Sequence, residues 1–131
     1  MNKILVVDDD YAIRLLYAEE LGSEGYEIIT AGGTVGLLDL IRDEKPDLII
    51  LDIILRDGNG LDTLQKIRKD YYDLPVIMCT AYETYKYDLK AFAADYYVVK
   101  RSDLSELKLK IRMAMETRWS MPAVSPAVVN G

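Results

Sequence analysis

The sequence predicts an α/β domain built on a parallel β-sheet with helices on both faces. Three observations predict it: short runs that are apolar at nearly every position, helical periodicity between those runs, and polar residues at the carboxyl ends of the runs. A strand that is apolar throughout is buried on both sides, as happens when right-handed crossovers lay helices over a parallel sheet. With 131 residues the chain can build one hydrophobic core but not comfortably two. A large multidomain enzyme is not expected of a chain this long.

Taken in order, Lys3 to Val7 reads as the first buried strand and stops at Asp8, Asp9 and Asp10. Ile13, Leu16, Tyr17 and Leu21 then fall on one helical stripe. Tyr26 to Ala31 supplies a second strand, and Leu37, Leu38 and Ile41 a second helix. Leu48 to Leu51, introduced by Pro46 and Asp47, is a third strand and ends at Asp52; Leu61, Leu64 and Ile67 mark the third helix. Val76 to Cys79 follows Pro75 and ends at Thr80. Tyr85, Leu89 and Phe92 suggest a fourth helix, and Tyr96 to Val99 a fifth strand ending at Lys100. Leu104, Leu107, Ile111 and Met115 form a fifth helix, opened by an Asp103 cap with Glu106 placed for a capping box. The expected division is a folded domain over 1–118 and a flexible tail or linker stub over 119–131.

Composition narrows the function classes. Half of the residues are hydrophobic and 29% are charged, a globular balance. The formal charge of -6 disfavours a nonspecific grip on nucleic acid or on an anionic membrane. The acidity is uneven: residues 1–60 hold 5 basic and 13 acidic groups, residues 61–131 hold 11 and 9. Cys79 is the one cysteine and there is no histidine, so an intramolecular disulfide and zinc clusters of cysteine or histidine are excluded, which fits a cytoplasmic address. The opening residues are neither a signal peptide nor a membrane span.

In a parallel α/β sheet, active groups gather at the carboxyl ends of the strands. There the sequence places Asp8 and Asp9, Asp52, Thr80 and Lys100. Clustered carboxylates repel one another, and a hard divalent cation such as Mg²⁺ relieves that repulsion through oxygen ligands. A carboxylate beside Mg²⁺ can attack phosphorus, and Asp52 is the candidate nucleophile. Lys100 can pair with a phosphoryl oxygen, and the Thr80 hydroxyl can donate to another. Each residue alone has a plainer reading as helix cap, turn former or surface charge. Their placement after successive strands argues for a shared site.

Over about Lys3 to Thr117 the chain resembles the receiver domain of bacterial two-component response regulators, in particular single-domain receivers of chemotaxis and sporulation phosphorelays. Ile4-Leu5-Val6-Val7-Asp8-Asp9-Asp10 with Ile13-Arg14, Pro46-Asp47-Leu48-Ile49-Ile50-Leu51-Asp52, Gly60 and Thr80-Ala81 carry the resemblance. It implies a flavodoxin-like (βα)5 three-layer sandwich with strand order 2-1-3-4-5. It further implies that Asp52 accepts a phosphoryl group from phosphohistidine on a sensor histidine kinase or histidine phosphotransfer protein. Mg²⁺, for which Mn²⁺ could substitute, is then held by Asp9, Asp52 and the Ile54 carbonyl, with Asp8 acting through water. Lys100 pairs with a phosphoryl oxygen, while Thr80 and Tyr97 are the switch pair that reshapes the face made by the fourth helix, last strand and fifth helix. Ile54 and Tyr82, each two residues past a site residue, occupy rate-tuning positions; their bulk is expected to hinder water and make autodephosphorylation slow.

The chain departs from the family pattern at Arg56 and Arg101, where relatives often or nearly always carry proline. The bond before Arg101 is expected trans, because a cis bond to a non-proline residue costs about 2.5–4 kcal/mol. Seven tyrosines beyond the midpoint, among them Tyr85 and Tyr87, permit a downstream protein partner or a homodimer. Two other classes compete. One is a receiver-shaped interaction module that works without phosphorylation. The other is an aspartate phosphohydrolase, disfavoured because Ile54 replaces the second aspartate of an Asp-x-Asp pattern. Neither independent metabolic catalysis, direct nucleic-acid binding nor membrane insertion is expected.

Overall fold

A computed structural model describes residues 2–81, 94–100 and 103–120. The expected fourth helix, Tyr82, Arg101 with the bond that precedes it, and most of the expected tail lie outside the described residues. The elements are β1 (Lys3–Val7), α1 (Tyr11–Gly22), β2 (Glu27–Ala31), α2 (Leu37–Glu44), β3 (Leu48–Leu51), a short hairpin of β4 (Ile54–Leu55) and β5 (Gly58–Asn59), α3 (Gly60–Asp70), β6 (Val76–Thr80), β7 (Tyr96–Val99) and α4 (Ser105–Ser120).

Five strands form one parallel sheet in the order β2-β1-β3-β6-β7. Counting only those strands, this is the 2-1-3-4-5 order of the flavodoxin-like fold. Alternation along each strand divides the core in two. Leu5, Val7, Ile49, Leu51, Val76 and Met78 face the layer that receives Leu37 and Ile41 of α2 and Leu61, Leu64 and Ile67 of α3. Ile4, Val6, Leu48, Ile50, Ile77 and Cys79 face Tyr17 and Leu21 of α1 and Leu104, Leu107 and Ile111 of α4. Period-two side chains on strands apolar at every position therefore produce two cores back to back.

Local chemistry sets the helix ends. Asp10 is the N-cap of α1 and its carboxylate accepts the Ala12 N–H at 2.9 Å. α2 stops at Lys45, whose φ of 51° is left-handed, and Pro46 follows. Asn59 caps α3 by accepting the Leu61 N–H at 2.7 Å. Before α4, Asp103 accepts both the N–H and the hydroxyl of Ser105, so the expected cap takes the form of a tight local turn. One expectation is corrected on α1: Tyr17 and Leu21 are buried, whereas Leu16 is 39% exposed, because the helix turns its 13, 17, 21 line toward the sheet and position 16 rolls to the rim. Tyr17 and Cys79 meet inside, hydroxyl to sulfur at 3.4 Å, and burial pushes the thiol up to about 11, leaving it neutral and inert.

Candidate functional site

The parallel ladder carries the acidic residues to one place. β1 and β3 run in register to the pair Val7 and Leu51, so the next residues, Asp8 and Asp52, emerge side by side. Their backbones stay on the ladder, with the Asp52 N–H bonded to the Val7 carbonyl at 3.0 Å and the Asp8 N–H to the Ala31 carbonyl at 3.1 Å. Carboxylate oxygens of Asp8, Asp9 and Asp52 all lie within 4.8 Å of one another. Asp8 and Asp52 are buried and Asp9 is partly exposed.

Lys100 enters from the end of β7, the edge strand two places from β3. β6 and β7 pair up to Thr80 and Val99, and the Lys100 N–H continues to the Thr80 carbonyl at 2.6 Å. Its ammonium stands 2.5 Å from Asp8 Oδ2 and 3.0 Å from Asp52 Oδ2. Thr80 is buried at the end of β6, one strand over from Asp52.

Tyr97, in the edge strand, is half-buried and packs on the core layer of α2 and α3. Ile54 presents a side chain that is 46% exposed, while its N–H donates to Asp52 Oδ1 at 3.4 Å. The structure thus brings together Asp8, Asp9, Asp52, Ile54, Thr80 and Lys100.

Burial pushes the Asp52 carboxyl above its ordinary value, and the hydrogen bond from Lys100 only partly offsets this. For Lys100, burial works against the charge, but the bonds to Asp8 and Asp52 prevail and hold its pKa above the ordinary value. Three carboxylates against the Lys100 ammonium and the exposed Arg56 guanidinium, whose Nε lies 3.9 Å from Asp9 Oδ2, leave an excess of negative charge. With hard oxygen donors alone, the cluster suits a hard cation such as Mg²⁺ rather than a soft metal.

Other residues at the site carried weaker sequence signals. The Arg14 guanidinium donates to the Asp8 carbonyl at 2.7 Å. The Arg56 N–H donates to Asp9 Oδ2 at 2.9 Å, a bond a proline at this position could not make. Gly60, one of the residues that carry the resemblance, opens α3: a Cβ there would sit 2.0 Å from the Asp52 backbone oxygen, so only glycine lets the helix start against the site. The β4–β5 hairpin that carries Ile54 and Arg56 was not expected, although Asp57-Gly58 is a turn signal.

A flavodoxin-like sheet with carboxylates, a hydroxyl and a lysine at its carboxyl edge defines the class. The chain belongs to the response regulator receiver domain family, whose family model matches residues 4–112. It is similar to response regulator protein TrrA of Thermotoga maritima, solved in complex with Mg²⁺-BeF. The identity is 45% and the TM-score 0.84, covering 87% of this chain and 99% of that one. TrrA in complex with histidine kinase ThkA matches at 43% identity and a TM-score of 0.83, over 88% of this chain and 99% of that one. A probable transcriptional regulator of Cyanophora paradoxa, ycf27, is 35% identical across 99% of this chain, which spans 54% of that protein. The chain therefore covers about half the length of that curated relative. Among the described residues no helix is long and apolar enough to cross a membrane.

Proposed function

We propose that this receiver accepts a phosphoryl group on Asp52 from the phosphohistidine of a sensor histidine kinase or phosphotransfer protein, and that the charge gained resets a protein-binding face. The observation that carries the proposal is the meeting of three carboxylates within 4.8 Å beside the Lys100 ammonium. The complex of the similar TrrA with a histidine kinase supports the choice of donor. In the transfer, an Asp52 oxygen forms a bond to phosphorus as the phosphorus–nitrogen bond to the donor imidazole breaks.

Asp9, Asp52 and the Ile54 carbonyl hold Mg²⁺ in this reading, with Asp8 bound through water and Mn²⁺ able to substitute. The ion supplies neutralisation of charge on the transferring group. Lys100 leaves its bond to Asp52 Oδ2 in part and pairs with a phosphoryl oxygen. The Thr80 hydroxyl donates to another, and Tyr97 rotates inward as Thr80 turns. Ile54, exposed at the rim, offers no group to orient water and slows hydrolysis; Tyr82 has the same role. A cytoplasmic setting, where a kinase and a downstream partner or a second receiver are met, fits this function.

Acetyl phosphate with and without Mg²⁺, followed by mass spectrometry, tests the proposal. The expected result is a gain of one phosphate that needs Mg²⁺ and is absent in Asp52→Asn, and that decays faster in Ile54→Asn than in wild type. A wild-type protein that gains no phosphate points instead to an interaction module independent of phosphorylation.

A further inference from the structure

Asp57 is an exposed residue of the turn between β4 and β5, yet its carboxylate accepts two backbone N–H groups from another part of the chain. It accepts the Thr34 N–H at 2.9 Å on Oδ2 and 3.1 Å on Oδ1, and the Val35 N–H at 3.2 Å on Oδ2. Both donors lie in the loop between β2 and α2. Two glycines make this approach feasible. A Cβ on Gly33 would stand 2.6 Å from Asp57 Oδ2, and one on Gly58 would stand 3.2 Å from the Thr34 hydroxyl oxygen. On the other side of the same turn, Arg56 N–H reaches Asp9 Oδ2 at 2.9 Å.

Adjacent residues thus tie the hairpin in two directions: Arg56 to the acidic cluster and Asp57 to the neighbouring loop. The hairpin has two residues per strand, too few to hold a shape by its own pairing. Charge-assisted hydrogen bonds that backbone N–H groups donate to an ionised carboxylate are the strong kind. The geometry points to Asp57 as a positioning residue for the cation site. It clamps the hairpin so that the Arg56 N–H fixes the Asp9 carboxylate and residue 54 stays beside Asp52. This inference rests on the cation site proposed above. Without the clamp the hairpin samples open arrangements, and affinity falls by the fraction of molecules left competent.

Titration of the full chain with Mn²⁺, reading the free ion by electron paramagnetic resonance, tests the clamp in wild type, Asp57→Ala, Gly33→Ala and the double variant. Gly33→Ala keeps the negative charge but drives the carboxylate off Thr34 and Val35, so it separates positioning from a distant charge effect. Each single variant is expected to weaken Mn²⁺ about tenfold, as loss of a group that orients a metal ligand does, with the double variant no weaker than either. In metal-free Asp57→Ala, hydrogen exchange at the Arg56 amide speeds up while amides of β1 and β3 keep their protection. Unchanged affinity, weakening in Asp57→Ala alone, additive losses, or an Arg56 amide still protected would each overturn the clamp. A wild-type chain that binds no Mn²⁺ removes the cation reading itself, and the clamp with it.

Discussion

Asp52 and Lys100 are both shifted upward, so the contribution of each to stability declines as pH rises, but over different pH ranges. Burial raises the Asp52 carboxyl, so the folded metal-free protein holds that proton more tightly than the unfolded chain; its contribution to stability declines as pH rises through the raised value. Lys100 is raised by its two carboxylates, so its contribution is whole below the ordinary lysine value and is lost only as pH climbs through the higher folded value. Near neutrality Lys100 is therefore the group whose removal hurts. Lys100→Met leaves Asp8 and Asp52 buried against each other and is expected to cost about 3–5 kcal/mol in urea unfolding without divalent cations. The loss shrinks as pH falls and Asp52 takes up its proton. A cost below about 1 kcal/mol at pH 7 would contradict this balance. The carboxylates and the lysine were legible in the sequence because each interrupts or ends an apolar run. Asp57 was not, since its partners are backbone N–H groups whose position only the folded loop defines.

Among the elements, α1 separates three consecutive aspartates by role. Asp8 ends the ladder from β1, Asp9 faces the Arg56 N–H, and Asp10 caps the helix. Residue type alone does not separate them, because all three are good caps and all three follow the same strand; the family resemblance is what singled out Asp8 and Asp9. Asp10→Ala is expected to cost about 1 kcal/mol of stability by thermal denaturation, the usual loss for a cap, while Mg²⁺-dependent phosphorylation persists. Loss of phosphorylation in an Asp10→Ala protein that remains folded would move the site. The β4–β5 hairpin escaped the sequence reading because two-residue strands carry no period. Leu16 was misplaced because a stripe is wider than the face a helix buries. By contrast, the buried strands and the helices that pack on them were plain, since apolar runs of four or five residues between periodic stretches have few other uses.

Across the whole molecule, alternation of strand and helix was enough for a parallel sheet with two cores, but the strand order came from the family resemblance. Periodicity states what each segment is and not which neighbour it pairs with. The order matters because it sets β1 beside β3, and that adjacency alone brings Asp8 and Asp9 to Asp52 across more than forty residues of chain. A crystal grown with Mn²⁺, its anomalous scattering mapped over the whole protein, tests this account most directly. One ion held by Asp9 and Asp52 is the predicted result. Saturating Mn²⁺ with no ion among Asp8, Asp9 and Asp52, or with ions only elsewhere on the surface, would contradict it.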